Sequence, residues 1–321
     1  MTGIGELVEA AAGGERHALA RLLSIAERGD SRVLEIEDLI APLVGRAWVI
    51  GITGPPGAGK STLINGLLPL AQTAEGRAAV VAVDPSSPFS DGAILGDRVR
   101  MQGGQYGADV FIRSMASRGE AGGLARAAST CVRLFDAAGW PVVIIETLGI
   151  GQVELDIMDL ADTVLVVLNP GWGDSFQANK AGLTEAADIF VINKADRDGV
   201  EQTRKDLLDS LSLLPSGHRP PILTTVATTG QGMGELWSAI EDHRARIASD
   251  GNLQALRDTR RRRIVRKTIR DQLTHVVDEL LDSAAAEKLL AGATLGELEI
   301  SGTVQKLLAL MAACPGNRQP P

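Results

Sequence analysis

Cysteine, histidine and aromatic side chains are all scarce: two, four and ten residues respectively in a chain of 321, with a single tyrosine. The cysteines, Cys131 and Cys314, stand far apart with no C-x-x-C spacing and no Cys/His cluster, which excludes a disulfide framework or a zinc cluster and makes a reducing compartment the expectation. His17, His218, His243 and His275 are dispersed, so a metal-insertion activity built on a Cys/His site has little to stand on. No run reaches the roughly 18 uninterrupted apolar residues of a membrane span. The N-terminus, Met-Thr-Gly-Ile-Gly-Glu, has no basic stretch followed by an apolar core and no Arg-rich presequence, so a cytoplasmic location is expected. Positive charge is not in excess either: the net charge is −8 and the pI near 5.2, which disfavours nucleic acid and anionic membrane surfaces as partners.

What is present is a globular composition, 45% apolar and 22% charged, with 36 glycines. Residues 4–45 place apolar side chains at helical spacing (Leu19, Leu22, Leu23, Ala26), with breaks near Gly13-Gly14 and Gly29-Asp30. From Trp48 the pattern becomes short apolar runs, each followed by a Gly- or Asp-bearing turn and a helical stretch. Strands are expected at 48–53, 78–83, 110–113, 142–145, 164–168, 189–192 and 222–225. Several show little alternation, as strands covered on both faces do. A helix at 235–247 closes this rhythm; helices at 253–281 and 303–313 follow, and residues 315–321 are expected to fray. The expected fold class is α/β: a domain (47–248) with a mostly parallel sheet flanked by helices, which the G-x-x-x-x-G-K-[ST] sequence at 54–61 marks as a P-loop NTPase, an N-terminal helical layer (1–46) and a C-terminal helical arm (249–321).

One segment carries most of the chemistry. Gly54-Pro55-Pro56-Gly57-Ala58-Gly59-Lys60-Ser61 matches G-x-x-x-x-G-K-[ST] at each fixed position, with an apolar strand before it and the helical run Thr62-Leu63-Ile64-Asn65 after it. Such a loop turns backbone N–H groups toward phosphate at a helix N-terminus. Lys60 would reach the β- and γ-phosphates and the Ser61 hydroxyl would take a position on Mg²⁺. Asp84, at the end of the second strand, and Asp97, in Leu95-Gly96-Asp97-Arg98, are further candidates for the magnesium shell; an Asx turn before Pro85 and a solvated helix residue are the bland alternatives.

The strand ending in Glu146-Thr147-Leu148-Gly149 has a terminal carboxylate that can orient magnesium or its water, and the Gly149 N–H could sense a γ-phosphate. Gln152, in the flexible Ile150-Gly151-Gln152, could orient water. Asn193-Lys194-Ala195-Asp196 matches the N-K-x-D guanine pattern. The Asp196 carboxylate can accept from guanine N1–H and its exocyclic amine, a donor pair adenine lacks. The Lys194 stem can cover one face of the base, and Asn193 can tie this loop to its neighbours. The last base-contacting loop is expected at Thr225-Val226-Ala227-Thr228, with the Ala227 N–H directed at guanine O6.

With Gly-Glu-Arg-His-Ala-Leu-Ala-Arg at 14–21, Val83-Asp84-Pro85-Ser86-Ser87, Gly96-Asp97-Arg98-Val99-Arg100-Met101 and Arg113-Ser114-Met115-Ala116-Ser117-Arg118-Gly119, these motifs resemble the MeaB/ArgK-type GTPases, the chaperones of methylmalonyl-CoA mutase. The resemblance spans most of the chain. It implies Mg²⁺-dependent hydrolysis of GTP to GDP and a homodimer formed through the C-terminal arm. It also implies an adenosylcobalamin-dependent acyl-CoA mutase as partner, whose cofactor delivery is gated and whose activity is protected. It places Asp84, Asp97 and Glu146 around magnesium, and Gln177 and Lys180 in a third switch loop. Val153 and Val226 depart from the family's usual Ser at those points, though neither change removes a backbone donor. Alternatives that stay open are a P-loop kinase acting on a transport protein and a metal-insertion GTPase. A nucleic-acid role for the Arg-rich stretch 257–270 is disfavoured, since acidic residues intersperse or follow it and no aromatic residue interleaves with it.

Overall fold

The structure is a computed structural model that describes residues 3–84, 107–116, 121–147, 158–171, 187–212, 219–249, 251–294 and 299–313. It divides into two compact units, one ending at Arg260 and the other beginning at Arg261.

In the first unit every expected strand forms: β1 (Trp48–Thr53), β2 (Ala78–Asp84), β3 (Val110–Ala116), β4 (Val142–Thr147), β5 (Thr163–Leu168), β6 (Ile189–Asn193) and β7 (Ile222–Thr225). They make one seven-stranded sheet in the order β3-β2-β4-β1-β5-β6-β7, with each pairing parallel. The helices are α1 (Ile4–Ala12), α2 (Arg16–Glu27), α3 (Val33–Ile40), α4 (Lys60–Glu75), α5 (Ala121–Ala137), α6 (Val200–Ser212) and α7 (Met233–Ser249), followed by α8 (Asn252–Leu281), α9 (Ala284–Thr294) and α10 (Ile300–Ala313).

Successive side chains of a strand face opposite ways, and here both faces are dry. Val49, Val81, Val143, Ile145 and Val166 join the core formed with α1, α2, α3 and α5. Trp48, Ile50, Ile52, Val80, Ile144 and Val167 join the one formed with α4 and α7. Burial on both sides removes any need for polar residues in alternate positions, which is why these strands read as continuous apolar runs. The helices bury stripes at helical spacing, such as Leu63, Ile64, Leu67 and Leu68 in α4. Cys131, on the buried stripe of α5, has its thiol pushed up to about 12 by burial, so it packs as a small apolar side chain and is no nucleophile.

The N-terminal ends of the strands are fastened by carboxylates. Asp136 accepts from the N–H groups of Gly45, Arg46 and Ala47 on the approach to β1. Asp162, nearly fully buried, accepts from the Val49 N–H at 3.0 Å and from Arg257 Nε and Nη2 at 3.0 and 2.6 Å. The same guanidinium donates to Gly45 O at 2.6 Å and Ala47 O at 2.7 Å. Next to it, His243 bridges Thr163 Oγ1 (2.9 Å) and Asp188 Oδ1 (3.2 Å), while the Trp48 indole N–H donates to Thr163 Oγ1 at 3.1 Å. Removing Arg257 would leave buried Asp162 with only the longer ion pair to Arg260 Nη1, at 3.5 Å, to balance its charge. Arg257→Ala is expected to lower unfolding free energy by about 3 kcal/mol in chemical denaturation, and Asp162→Asn in the same chain to recover part of that loss.

Candidate nucleotide site

In a parallel sheet the carboxyl ends of the strands line one edge, and ligands of open α/β folds collect there. Thr53, Asp84, Glu146, Asn193 and Thr225 all lie at or next to those ends. Directly after Thr53 the chain turns through Gly54 to Gly59 and enters α4 at Lys60. Two glycines of this loop are required by space. A Cβ on Gly54, at φ +145°, would lie 2.0 Å from the Val167 carbonyl oxygen, and one on Gly59, at φ +90°, 2.4 Å from Asn193 Nδ2. The loop thus passes close over β5 and β6, a path that side chains at either glycine would block.

Lys60 is buried, and its ammonium donates to Gly54 O at 2.7 Å and Pro55 O at 3.0 Å. It folds back along the loop. Ser61 Oγ donates to Glu146 Oε1 at 2.7 Å. Glu146 is in register with Ile52 of β1 and Ala82 of β2, so the sheet itself delivers the carboxylate to the first turn of α4. Thr147 Oγ1 donates to Thr53 Oγ1 at 3.1 Å beside it.

The second motif is tied to the first by hydrogen bonds. Asn193 Nδ2 donates to Ala58 O at 2.9 Å, and Asn193 Oδ1 accepts from Thr225 Oγ1 at 3.1 Å and from the Ala227 N–H at 3.2 Å. Lys194 Nζ donates to Gly57 O at 2.6 Å. Lys194 is the one described non-glycine residue with positive φ, +60°, a conformation that costs roughly 1–2 kcal/mol. It is held there by the bonds Ala195 N–H to Thr225 O and Arg197 N–H to Lys194 O, both 3.0 Å. Asp196 is exposed on the outer side of this turn.

The structure therefore brings together residues 54–62 with Glu146, Asn193, Lys194, Val226 and Ala227. Val226 is buried and its N–H is bonded to Gln231 O at 3.0 Å, so it shapes the last loop from within. The Ala227 N–H, expected at guanine O6, points to Asn193 Oδ1. Asp84 closes β2 paired with Ala116. Asp97, Gly149, Gln152, Gln177, Lys180 and residues 315–321 lie outside the described residues. The Thr225 hydroxyl was missed by sequence reasoning. Its bond to Asn193 follows from the register Asn193 to Thr225 between β6 and β7, which no local pattern announces.

A family model described as methylmalonyl-CoA mutase-associated GTPase MeaB matches residues 19–281. The chain belongs to the MeaB family. A GTPase of Pyrococcus abyssi is 44% identical to this MeaB-family chain over 301 residues, 92% of this chain and 89% of the relative. The GTPase ArgK of Escherichia coli is 36% identical over 290 residues, 87% of this chain and 88% of ArgK. A solved structure described as LAO/AO transport system kinase has a TM-score of 0.72 at 28% identity and covers 96% of this chain and 97% of its own. The MeaB match takes in the whole strand series and ends with α8. Among the described residues no helix is long and apolar enough to cross a membrane.

Proposed function

We propose that this chain is a Mg²⁺-dependent GTP hydrolase that gates delivery of adenosylcobalamin to, and protects, an acyl-CoA mutase of the methylmalonyl-CoA type, working as a cytoplasmic homodimer. The observation that carries the nucleotide part is the convergence of Lys60, Ser61, Glu146 and the Asn193-Lys194 turn at one sheet edge, linked by direct hydrogen bonds. The mutase part is supported by membership of a family described by its association with that mutase.

In this reading the N–H groups of residues 54–62 and the Lys60 ammonium bind the β- and γ-phosphates and neutralise charge there. Ser61 Oγ and Glu146 Oε1, two hard oxygen donors 2.7 Å apart, fit a magnesium site, with Asp84 and Asp97 as further carboxylates. When bound, the ion would stabilise charge developing between the β- and γ-phosphates. Asp196 selects guanine, the Lys194 stem covers the base, and Asn193 ties base loop to phosphate loop, so recognition of guanine stiffens the phosphate cradle. Gly149, Gln152 and Lys180 are assigned to the γ-phosphate, the water and a third switch on the resemblance alone.

The homodimer is supported by the second unit. Its described residues are mostly helical, and among the side chains described there Ala286 and Thr303 are buried while Val265, Ile269, Leu273 and Val277 are exposed. The test of the whole reading is GTP turnover with and without a purified methylmalonyl-CoA mutase. Stimulation of at least about tenfold, ~1.4 kcal/mol of barrier, is expected together with co-elution. A mutase that neither binds nor stimulates would remove the chaperone role and leave the hydrolase standing.

The kinase reading draws on the similar solved structure, which is described as a transport system kinase. With γ-labelled GTP, hydrolysis releases free phosphate, whereas a kinase leaves label on protein.

A further inference from the structure

We infer that the backbone N–H of Thr228 is the donor that meets guanine O6, and that Ala227 serves instead to hold the loop in place. This rests on the GTP reading of the site and names a specificity-determining group within it. Guanine offers an acceptor at position 6 where adenine carries an amine, so one N–H fixed there attracts the first base and opposes the second.

The loop that follows β7 lies beside the Asn193-Lys194 turn, because Thr225 is in register with Asn193. Most of its donors are already committed. The Val226 N–H donates to Gln231 O at 3.0 Å, and the N–H groups of Thr229 and Gly230 turn back to Val226 O at 3.0 and 3.1 Å. The Ala227 N–H donates to Asn193 Oδ1 at 3.2 Å. Between residues 226 and 230, Thr228 alone makes no hydrogen bond through its N–H to the described residues. It is exposed and follows directly on the residue bonded to Asn193. Consecutive residues are about 3.8 Å apart, so its N–H stays next to the turn that carries Lys194 and Asp196.

The Ala227 bond is costly to give up. Asn193 is buried, and its Nδ2 faces Ala58 O, which can only accept. Its Oδ1 is thereby turned the other way, toward the Thr225 hydroxyl and the Ala227 N–H. Were the Ala227 N–H to swing to a nucleotide, Oδ1 would lose one of these two donors inside the protein, and the tie between base loop and phosphate loop would slacken. The Thr228 N–H breaks no bond within the described residues by meeting O6. It exchanges water for a carbonyl oxygen. The two neighbouring amides thus divide the work, Ala227 positioning the loop and Thr228 reading the base, while Asp196 takes the adjoining N1–H and amine.

The test uses the full chain, translated with an α-hydroxy acid at one position so that a single peptide N–H becomes an ester oxygen, at 228 in one sample and at 227 in another. The probes are GTP and 6-thioguanosine triphosphate. The thio analogue keeps the N1–H and amine for Asp196 but presents a weakly accepting sulfur at position 6. The unaltered chain is expected to prefer GTP by about 3- to 10-fold, the usual net worth of one hydrogen bond. The ester at 228 should lower GTP affinity by that factor and bring the preference to within about twofold, with the thermal midpoint in place because no described internal bond is lost. The ester at 227 should weaken both nucleotides alike and keep the preference, since it removes a bond to Asn193 that neither base touches. Loss of the preference with the 227 ester and its survival with the 228 ester would return the O6 contact to Ala227 and overturn the inference. A preference kept by both esters would overturn it too, placing O6 recognition elsewhere. Failure of the unaltered chain to bind either nucleotide would instead remove the GTP reading itself.

Discussion

Lys60→Ala is expected to lower steady-state GTP turnover by at least about 100-fold, about 3 kcal/mol of transition-state stabilisation, as loss of one preorganised charge donor does. The structure gives the reason for so large an effect. Lys60 is buried at the start of α4 and already lies along the loop, donating to Gly54 O and Pro55 O, so its ammonium can exchange these carbonyls for phosphate oxygens. Alanine would remove the positive charge and free both carbonyls at once. Phosphate release under saturating GTP measures the loss, and circular dichroism separates it from unfolding. Turnover within a few-fold of the parent chain would remove Lys60, and with it the proposed phosphate cradle, from the mechanism.

Asp196→Asn is expected to weaken GTP relative to ATP by roughly 5- to 150-fold, the ~1–3 kcal/mol that a bidentate contact to a base edge contributes. The carboxylate offers two acceptors to the N1–H and amine of guanine; the amide offers one acceptor and one donor. That exchange suits xanthine, whose position 2 carries an oxygen, so xanthosine triphosphate should bind the variant better than GTP does. Because Asp196 is exposed on the turn and bears no packing load, the substitution should leave the thermal midpoint in place. Competition among the three nucleotides against a fluorescent GTP analogue reads the change. An unaltered preference would place guanine recognition elsewhere.

The strands were legible because both faces of this sheet are dry, which turns β1, β4 and β5 into unbroken apolar runs bounded by turns. Polar ends were harder. Ser114 extends β3 because β2 pairs with it through Ala82, a partner outside any local window. The order of strands was not legible at all, since β4 enters between β2 and β1 and no pattern along the chain encodes that neighbour. Helix α9 was missed because its run of alanines and its late glycine blur the helical period. At the site, the phosphate loop and the N-K-x-D turn were readable because their residues are fixed in spacing by one local backbone shape. The bonds that join them, from Asn193 to Ala58, Thr225 and Ala227, depend on which loops the sheet brings side by side. Arg257 illustrates the same limit from another side. In sequence it is one arginine in a basic run, and only the burial of Asp162 picks it out.

That guanidinium also bears on where the chain can be shortened. A fragment stopping at Ser249 would retain every strand yet discard Arg257 and Arg260, the two cations on Asp162, and with Arg257 the donor that holds the Gly45 and Ala47 carbonyls. Such a fragment would expose the root of β1 to water, and the smallest autonomous nucleotide-binding piece would have to keep the opening turns of α8.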